Sequence, residues 1–453
     1  MIAEGGEAFG INGTCALRVL IIHHSSFIIP NERPQIRIAN PSSAPFNPPP
    51  MKLRNQLLAL FCLGLFAAFG FFYIRLWVVQ KPFGIILFVS DGMVTRHLTA
   101  ARLYKGGAAN QLELEAFPHL AMMSNAALDR AVADDAAAAT ALATGQKVAQ
   151  RNLSTGLKGQ SLQTILELAK AQGRSIGLVT NGKLTDPSAA AFYSHVADAR
   201  DTDQIALQFA KKTKLDVALG GGSAEFLPES EKGLRKDHRN LLKELGDTDH
   251  EIVSTKAELE NAPAYRTNGL VGIFAPGPMA FSDQIQTASS QPALSDMVRR
   301  AIEFLQLNSA GYVLVVDDSL CSQAAEANQG ERTLQQTLAL DQAIAIANKY
   351  AGKQSLIISV GKHSIGGLSL NGAGPLQDHG VALLGINGAG YPSITWATGP
   401  NGPSSKTEPS AFQTPQALNS AEDVIAIGKG DGSEKLHGFM DNTDIFSILR
   451  DAL

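Results

Sequence analysis

The chain has 453 residues, 45% of them hydrophobic, and a formal net charge of -4 at pH 7. That composition supplies one large core or two modest ones and excludes a disordered chain. The 38 Lys and Arg are scattered among 42 Asp and Glu with no basic block, which excludes nucleic acid as an electrostatically recruited partner; three cysteines, Cys15, Cys62 and Cys321, build neither a disulfide framework nor a paired-cysteine metal site.

Residues 1–50, ending in "PSSAPFNPPP", carry no periodicity and many turn formers, so they read as disorder or as a misassigned start upstream of Met51. Residues 51–80 read as a membrane anchor or signal segment. Lys52 and Arg54 precede an uncharged run from Asn55 to Ile74, about 20 residues and so long enough to span the hydrocarbon core of a bilayer. Positive charge on the amino side keeps that end cytoplasmic and exports the chain beyond Gln80. With no small-x-small cleavage site after the run, an uncleaved anchor is favoured over a removed signal peptide. The membrane is then a partner through residues 55–74, and residues 81–453 form a folded domain on the periplasmic or extracellular side.

From Gly84 onward, short β-branched runs stopped by Gly or polar residues alternate with helical patterns. The runs "GIILFVSD", "SIGLVT", "DVALGGG", "GYVLVVDD", "SLIISV" and "DVIAIG" predict buried strands. "SLQTILELAKAQG" places Leu162, Ile165, Leu166 and Ala169 on one helical face, and "ERTLQQTLALDQAIAIANKYAG" is a longer amphipathic pattern ended by Gly352. The fold class implied is α/β, a mostly parallel sheet with helices on both faces. Ligands of such sheets sit beyond the carboxyl ends of the strands. Two predicted strands end in acids, Asp91 in one case and Asp317 with Asp318 in the other. "ADDAAAATALATG", Ala133 to Gly145, adds a small-residue helix opened by Asp134 and Asp135. A carboxylate in such places also serves as a helix cap or turn former.

The phrases "FVSDGM", "ATALATG", "ILELAKAQGRSIGLVT", "AAAFYSHV", "LGGGSAEF", "GGLSLNG" and "LHGFMDNTDIF" occur in this order. Together they resemble the alkaline phosphatase family over nearly all of Gly84 to Leu453. The resemblance implies a three-layer α/β/α sandwich and hydrolysis of phosphate monoesters through a phosphoserine, with two zinc ions and one magnesium. It also implies a phosphorylated ligand and, often, a homodimer. The metals matter physically because they lower the serine's effective pKa, hold the phosphoryl group and stabilise the leaving oxygen.

Set against the family pattern, the residues here depart at most of the chemical positions. The nucleophile phrase, close to T-D-S-A-A-S-A-T, is A-D-D-A-A-A-A-T in this chain, so Asp135 stands where the attacking serine belongs and Asp134 on the usual aspartate. The zinc phrase T-A-D-H-E-T-G-G-L becomes "SVGKHSIGGL", which replaces an aspartate by Lys362 and keeps His363. "DDSLCSQAAE" puts Ser322 and Glu326 at an aspartate and a histidine position, and "NSAEDV" puts Asn419 at a histidine position. Serine and asparagine are feeble zinc ligands. The magnesium positions fall on Asp91, Asp186, Ser188 and Asp317, all oxygen donors suited to that ion. Asp317 replaces a glutamate and is a methylene shorter. Arg200 is the candidate phosphate clamp, one residue further from His195 than the pattern has it.

The resemblance therefore predicts a pseudophosphatase with room for one magnesium and without its zinc pair. An active phosphate or sulfate ester hydrolase with a rebuilt metal site, and a membrane-held partner-binding scaffold, are the alternatives. An aspartate beside Asp91 with no zinc between them calls for a compensating cation, and Lys362 is predicted to supply it by pairing with Asp135 or Asp91. A carboxylate nucleophile at Asp135 is opposed by its length in a site shaped for serine. Gly220 to Gly222 reads as the end of a strand, Gly430 to Gly432 as a turn, and Asp378 with His379 as part of an insertion after "GGLSLNG".

Overall fold

The computed structural model describes residues 53–453 apart from 78–80, 91, 93, 213, 249, 264–268, 286, 288–289, 373–379, 381–383 and 387–389. Residues 1–50, Asp91, Asp378 and His379 thus lie outside the described residues. Contacts divide the chain after Arg75 into two units, each described by itself. The first contains helix α1, Leu53–Trp77, whose span Leu53–Gly70 is long and apolar enough to cross a membrane. Its described side chains, Phe61 and Phe66 among them, are exposed.

In chain order the second unit begins with β1 (Gly84–Ser90), α2 (Thr95–Gly106), β2 (His119–Ser124), α3 (Asp135–Thr144) and α4 (Ile165–Ala171). After these lie β3 (Ser175–Lys183), α5 (Pro187–Ala190), α6 (Thr202–Lys212), β4 (Val217–Gly221), α7 (Leu241–Gly246), β5 (Glu251–Val253), α8 (Lys256–Asn261) and β6 (Leu270–Ile273). Next come α9 (Leu294–Leu305), β7 (Tyr312–Asp317), α10 (Ser319–Glu326), α11 (Gly330–Tyr350) and β8 (Leu356–Gly361). The chain ends with short strands β9 (Ser364–Ile365), β10 (Ser369–Leu370), β11 (Ile394–Gly399), β12 (Ser410–Gln413) and β13 (Asn419–Ser420), then β14 (Val424–Lys429), β15 (Phe439–Asp441) and α12 (Asp444–Asp451).

Ten of these strands form one sheet in the order β15-β2-β14-β8-β1-β7-β3-β4-β6-β5. All of its neighbours pair in parallel except β14, which runs against both β2 and β8. Every residue of β1 is buried, because successive side chains point to opposite faces and both faces are covered. Ile85, Leu87 and Val89 join the core that holds Leu142, Ile165, Leu166, Ile205 and Ile445, so α3, α4, α6 and α12 cover one face. Ile86 and Phe88 join the core of Leu98, Met297, Leu305 and Leu340, from α2, α9 and α11 on the other. The result is the three-layer α/β/α sandwich expected.

The alanine run of α3 has a packing reason. Every residue from Ala136 to Thr144 is buried, and side chains this small let the helix lie close to α5 and α12. Gly145 ends it with a left-handed φ of 68°, where a Cβ would lie 2.7 Å from the Phe446 ring. Helix α4 starts at Thr164, whose side chain and that of Glu167 cap each other's backbone N–H.

Candidate active site

Strands β1, β7 and β8 are parallel neighbours, so their carboxyl ends open on one edge, at Ser90, Asp317 and Gly361. Lys362 and His363 come directly after β8 and are buried; the Lys362 backbone N–H donates to the Ser90 carbonyl at 3.2 Å. The Lys362 ammonium donates to Asp135 Oδ1 at 2.6 Å and to the Ser188 hydroxyl oxygen. His363 Nε2 stands 2.5 Å from the same Asp135 oxygen, and because a carboxylate only accepts, that nitrogen carries the proton. The predicted pairing of Lys362 with Asp135 is therefore present.

Asp135 opens α3, where the positive end of the helix dipole also favours an anion. Burial by itself raises a carboxyl pKa, but the charges of Lys362 and His363 and their hydrogen bonds overrule it and hold Asp135 well below the usual carboxylate range. Its side chain keeps 40% exposure, against none for Lys362. Asp134, one residue earlier, is the helix cap. Its Oδ1 accepts from the Ala137 N–H at 2.9 Å and its Oδ2 from the Arg151 N–H at 2.7 Å, tying α3 to the following loop.

Asp186 sits just past β3, with Oδ2 accepting from the Lys183 backbone at 2.8 Å and Oδ1 3.3 Å from the Lys183 ammonium. Burial, with a smaller contribution from the charge of Asp135, raises its pKa against the pull of Lys183. Asp317, fully buried, accepts from Thr180 Oγ1 at 2.7 Å and Ser319 Oγ at 2.5 Å. Asp318 accepts from Asn181 Nδ2 at 2.5 Å. Ser322, on α10, lies against Gly92, since a Cβ there would be 3.7 Å from its Cα, and its hydroxyl donates to the Ser319 carbonyl at 2.9 Å. The backbone of Glu326 accepts from Ala417 at 2.8 Å. Asn419 pairs with β9 and donates through Nδ2 to the Ala133 carbonyl at 3.1 Å, at the mouth of α3.

The structure thus gathers Asp135, Ser188, Lys362 and His363 into one bonded cluster, with Asn419 bordering it. Arg200 has a side chain that is 71% exposed, and its guanidinium grips Asp198 through Nε and Nη2 at 3.0 and 2.6 Å; Asp198 Oδ2 is also 3.9 Å from the guanidinium of Arg151, whose N–H bonds Asp134. A feature the sequence did not announce is Glu225, which accepts from the Lys183 ammonium at 2.7 Å and from the Thr185 hydroxyl. Lys183 therefore bridges Asp186 and Glu225, and the only sequence signal was the glutamate of "LGGGSAEF", a phrase that reads as scaffold.

The residues described do not fit a zinc pair. At the positions the resemblance assigns to zinc ligands, Lys362 presents an ammonium, and the Ser322 hydroxyl and the Asn419 amide donate to backbone carbonyls. Of the magnesium positions, Ser188 accepts from Lys362 and both oxygens of Asp186 face Lys183. Two donors engage Oδ1 of Asp135.

A family model described as alkaline phosphatase matches residues 84–384. The chain is 31% identical over 313 residues to alkaline phosphatase 4 of Bacillus subtilis, an alignment spanning 66% of this chain and 65% of that protein. It is 28% identical over 426 residues to the alkaline phosphatase of Gadus morhua, covering 79% of this chain and 89% of the other. Among solved structures, the alkaline phosphatase of the Antarctic bacterium TAB5 superposes with a TM-score of 0.64 at 20% identity, over 82% of this chain and 98% of that one. That of Thermus thermophilus gives 0.68 at 21% identity, over 83% and 93%. A variant of the TAB5 enzyme carries bound Mg²⁺.

Proposed function

The chain belongs to the alkaline phosphatase family, and from that premise we propose that it is a member that has given up the metal-assisted phosphomonoester hydrolysis of its relatives. One observation carries the reading. The Lys362 ammonium bonds Asp135 and Ser188 at once, so a fixed organic cation and a fixed carboxylate neutralise each other where a divalent ion and a hydroxyl would do the chemistry. An ammonium can balance charge, but it is no Lewis acid and cannot turn a water or alcohol into a strong nucleophile at neutral pH. In this reading the domain recognises rather than turns over its ligand, and helix α1 holds it to a membrane with the folded part exported.

The deciding experiment is metal analysis of the purified full chain together with its turnover of p-nitrophenyl phosphate, with and without added Zn²⁺ and Mg²⁺. At most one magnesium per chain and no zinc-stimulated turnover is the expected result. Two tightly held zinc ions with chelator-sensitive hydrolysis would replace this proposal with an active ester hydrolase built on a different donor set.

A further inference from the structure

A second concentration of positive charge lies at the other end of the sheet. Strands β1 and β8 are parallel and in register from Ile85 beside Leu356, so their amino ends share the edge remote from Lys362, on the order of 20 Å away for strands of this length. A cavity of about 740 Å³ opens there between the lead into β1, the end of α11 with the turn after it, and the end of β14. Lys81, Lys349, Lys353 and Lys429 all line it. Their hydrogen bonds among the described residues go to neutral acceptors, Lys81 Nζ to the Tyr350 carbonyl and Lys429 Nζ to Asn348 Oδ1, each at 2.6 Å. Among those residues none of the four joins a carboxylate, whereas nearby Lys435 is paired with Asp451. The wall between them mixes apolar Phe83, Ala351 and Ile357 with polar Asn348, Gln354 and Ser355.

We propose that this cavity binds the phosphate headgroup of an anionic phospholipid. Four positive side chains around a wall that is apolar in part match an anion that carries greasy chains, and lysines near a bilayer that are not paired with carboxylates favour anionic lipid over neutral lipid. Covalent structure selects the lipid over a soluble phosphate. Only residues 78–80 separate the end of α1 at Trp77 from Lys81, a reach of at most about 14 Å even when fully extended. The proposal rests on the reading of α1 as a membrane anchor. It gives the domain a second, selective attachment at the edge of the sheet that the Asp135 cluster does not use.

The test uses the full chain in dodecyl maltoside micelles, with lipid retention read by native mass spectrometry. Phosphatidylglycerol is expected to be retained at least about fivefold better than phosphatidylcholine, since a single lysine near an anionic surface already adds roughly a fivefold preference. The exposed pair Lys349→Glu with Lys353→Glu is expected to abolish that preference while melting at the parent's temperature in lipid-free micelles. Equal retention of the two lipids, or an undiminished preference in the double variant, overturns the proposal. So does inorganic phosphate raising the melting temperature as much as phosphatidylglycerol does, because the cavity is then a site for a soluble anion. Carbonate washing of membranes separates the two readings. Release of the chain rejects the anchor and with it the headgroup assignment, whereas a retained chain with no lipid preference rejects the headgroup site alone.

Discussion

Lys362 and Asp135 share one short ion pair but not one environment: the lysine side chain is sealed from solvent while the aspartate keeps 40% of its own exposed. Removing either partner therefore has unequal consequences. Without the Asp135 charge, the ammonium cannot be rehydrated in place, so Asp135→Asn is expected to cost about 2–4 kcal/mol. Lys362→Met leaves a carboxylate that water can reach and is expected to cost about 1 kcal/mol. Urea unfolding of both variants checks the order.

The same pair fixes a pH dependence. The folded-state pKa of Asp135 lies below its ordinary value, so its contribution is present above the unfolded pKa and is lost only as pH falls through the folded one. The part of the stability gap between the parent and Asp135→Asn that comes from the carboxylate should narrow below about pH 4. A gap that already narrows at pH 6 would assign the effect to another group.

His97 gives the acid sensitivity of the domain at milder pH. It is fully buried, accepts weakly from the Val94 N–H at 3.4 Å, and its pKa is pushed down from 6.5 to about 4, by burial first, with Glu422 opposing and Arg96 assisting. A histidine kept neutral in the fold stabilises above its unfolded pKa, and that stability is lost as pH drops from about 6.5 towards 4. The loss reaches up to about 3 kcal/mol. His97→Gln should flatten this limb of the stability curve measured between pH 4 and 7.

Asp134 and Arg200 make a contrasting pair of substitutions. Asp134 caps α3 and holds the Arg151 N–H, so Asp134→Ala is expected to lower stability by about 1–2 kcal/mol. Arg200 is largely exposed and pairs with Asp198, and Arg200→Ala is expected to change stability by less than about 0.5 kcal/mol. Thermal melts of the two variants side by side test the contrast.

Restoring the hydroxyl by itself is not expected to restore chemistry. In Asp135→Ser the Lys362 ammonium still lies among Ser188 and His363, repelling a divalent ion, so turnover of p-nitrophenyl phosphate with added Zn²⁺ should stay at background. Adding Lys362→Asp removes the repulsion and is expected to raise zinc uptake, measured by equilibrium dialysis, while Ser322 and Asn419 keep the site weak.

The central strands were legible because burial on both faces writes itself as unbroken apolar runs, as in "GIILFVS" and "YVLVV". Strands at the sheet margins carry no such run. In β2, Leu120 and Met122 are exposed while Ala121 and Met123 are buried, and β15 has only three residues. The "DVIAIG" run was readable as a strand, but nothing in six residues tells its direction, and β14 is the one that runs against its neighbours. At the site, the pairing of Lys362 with Asp135 was legible from charge balance alone. Glu225 beside Lys183 was not, because 42 residues separate them and no local pattern links them.

The reversed strand also sets the order in which the domain can be completed. β2 is formed early in the chain, yet its only partners in the sheet are β14 and β15, about three hundred residues later. Until those last segments arrive, Leu120 and Met122 travel on an unpaired strand with both backbone edges open, which makes assembly slow and exposes nascent chains to sticking together. A ribosome stalled before Val424 would leave a sheet without its closing seam.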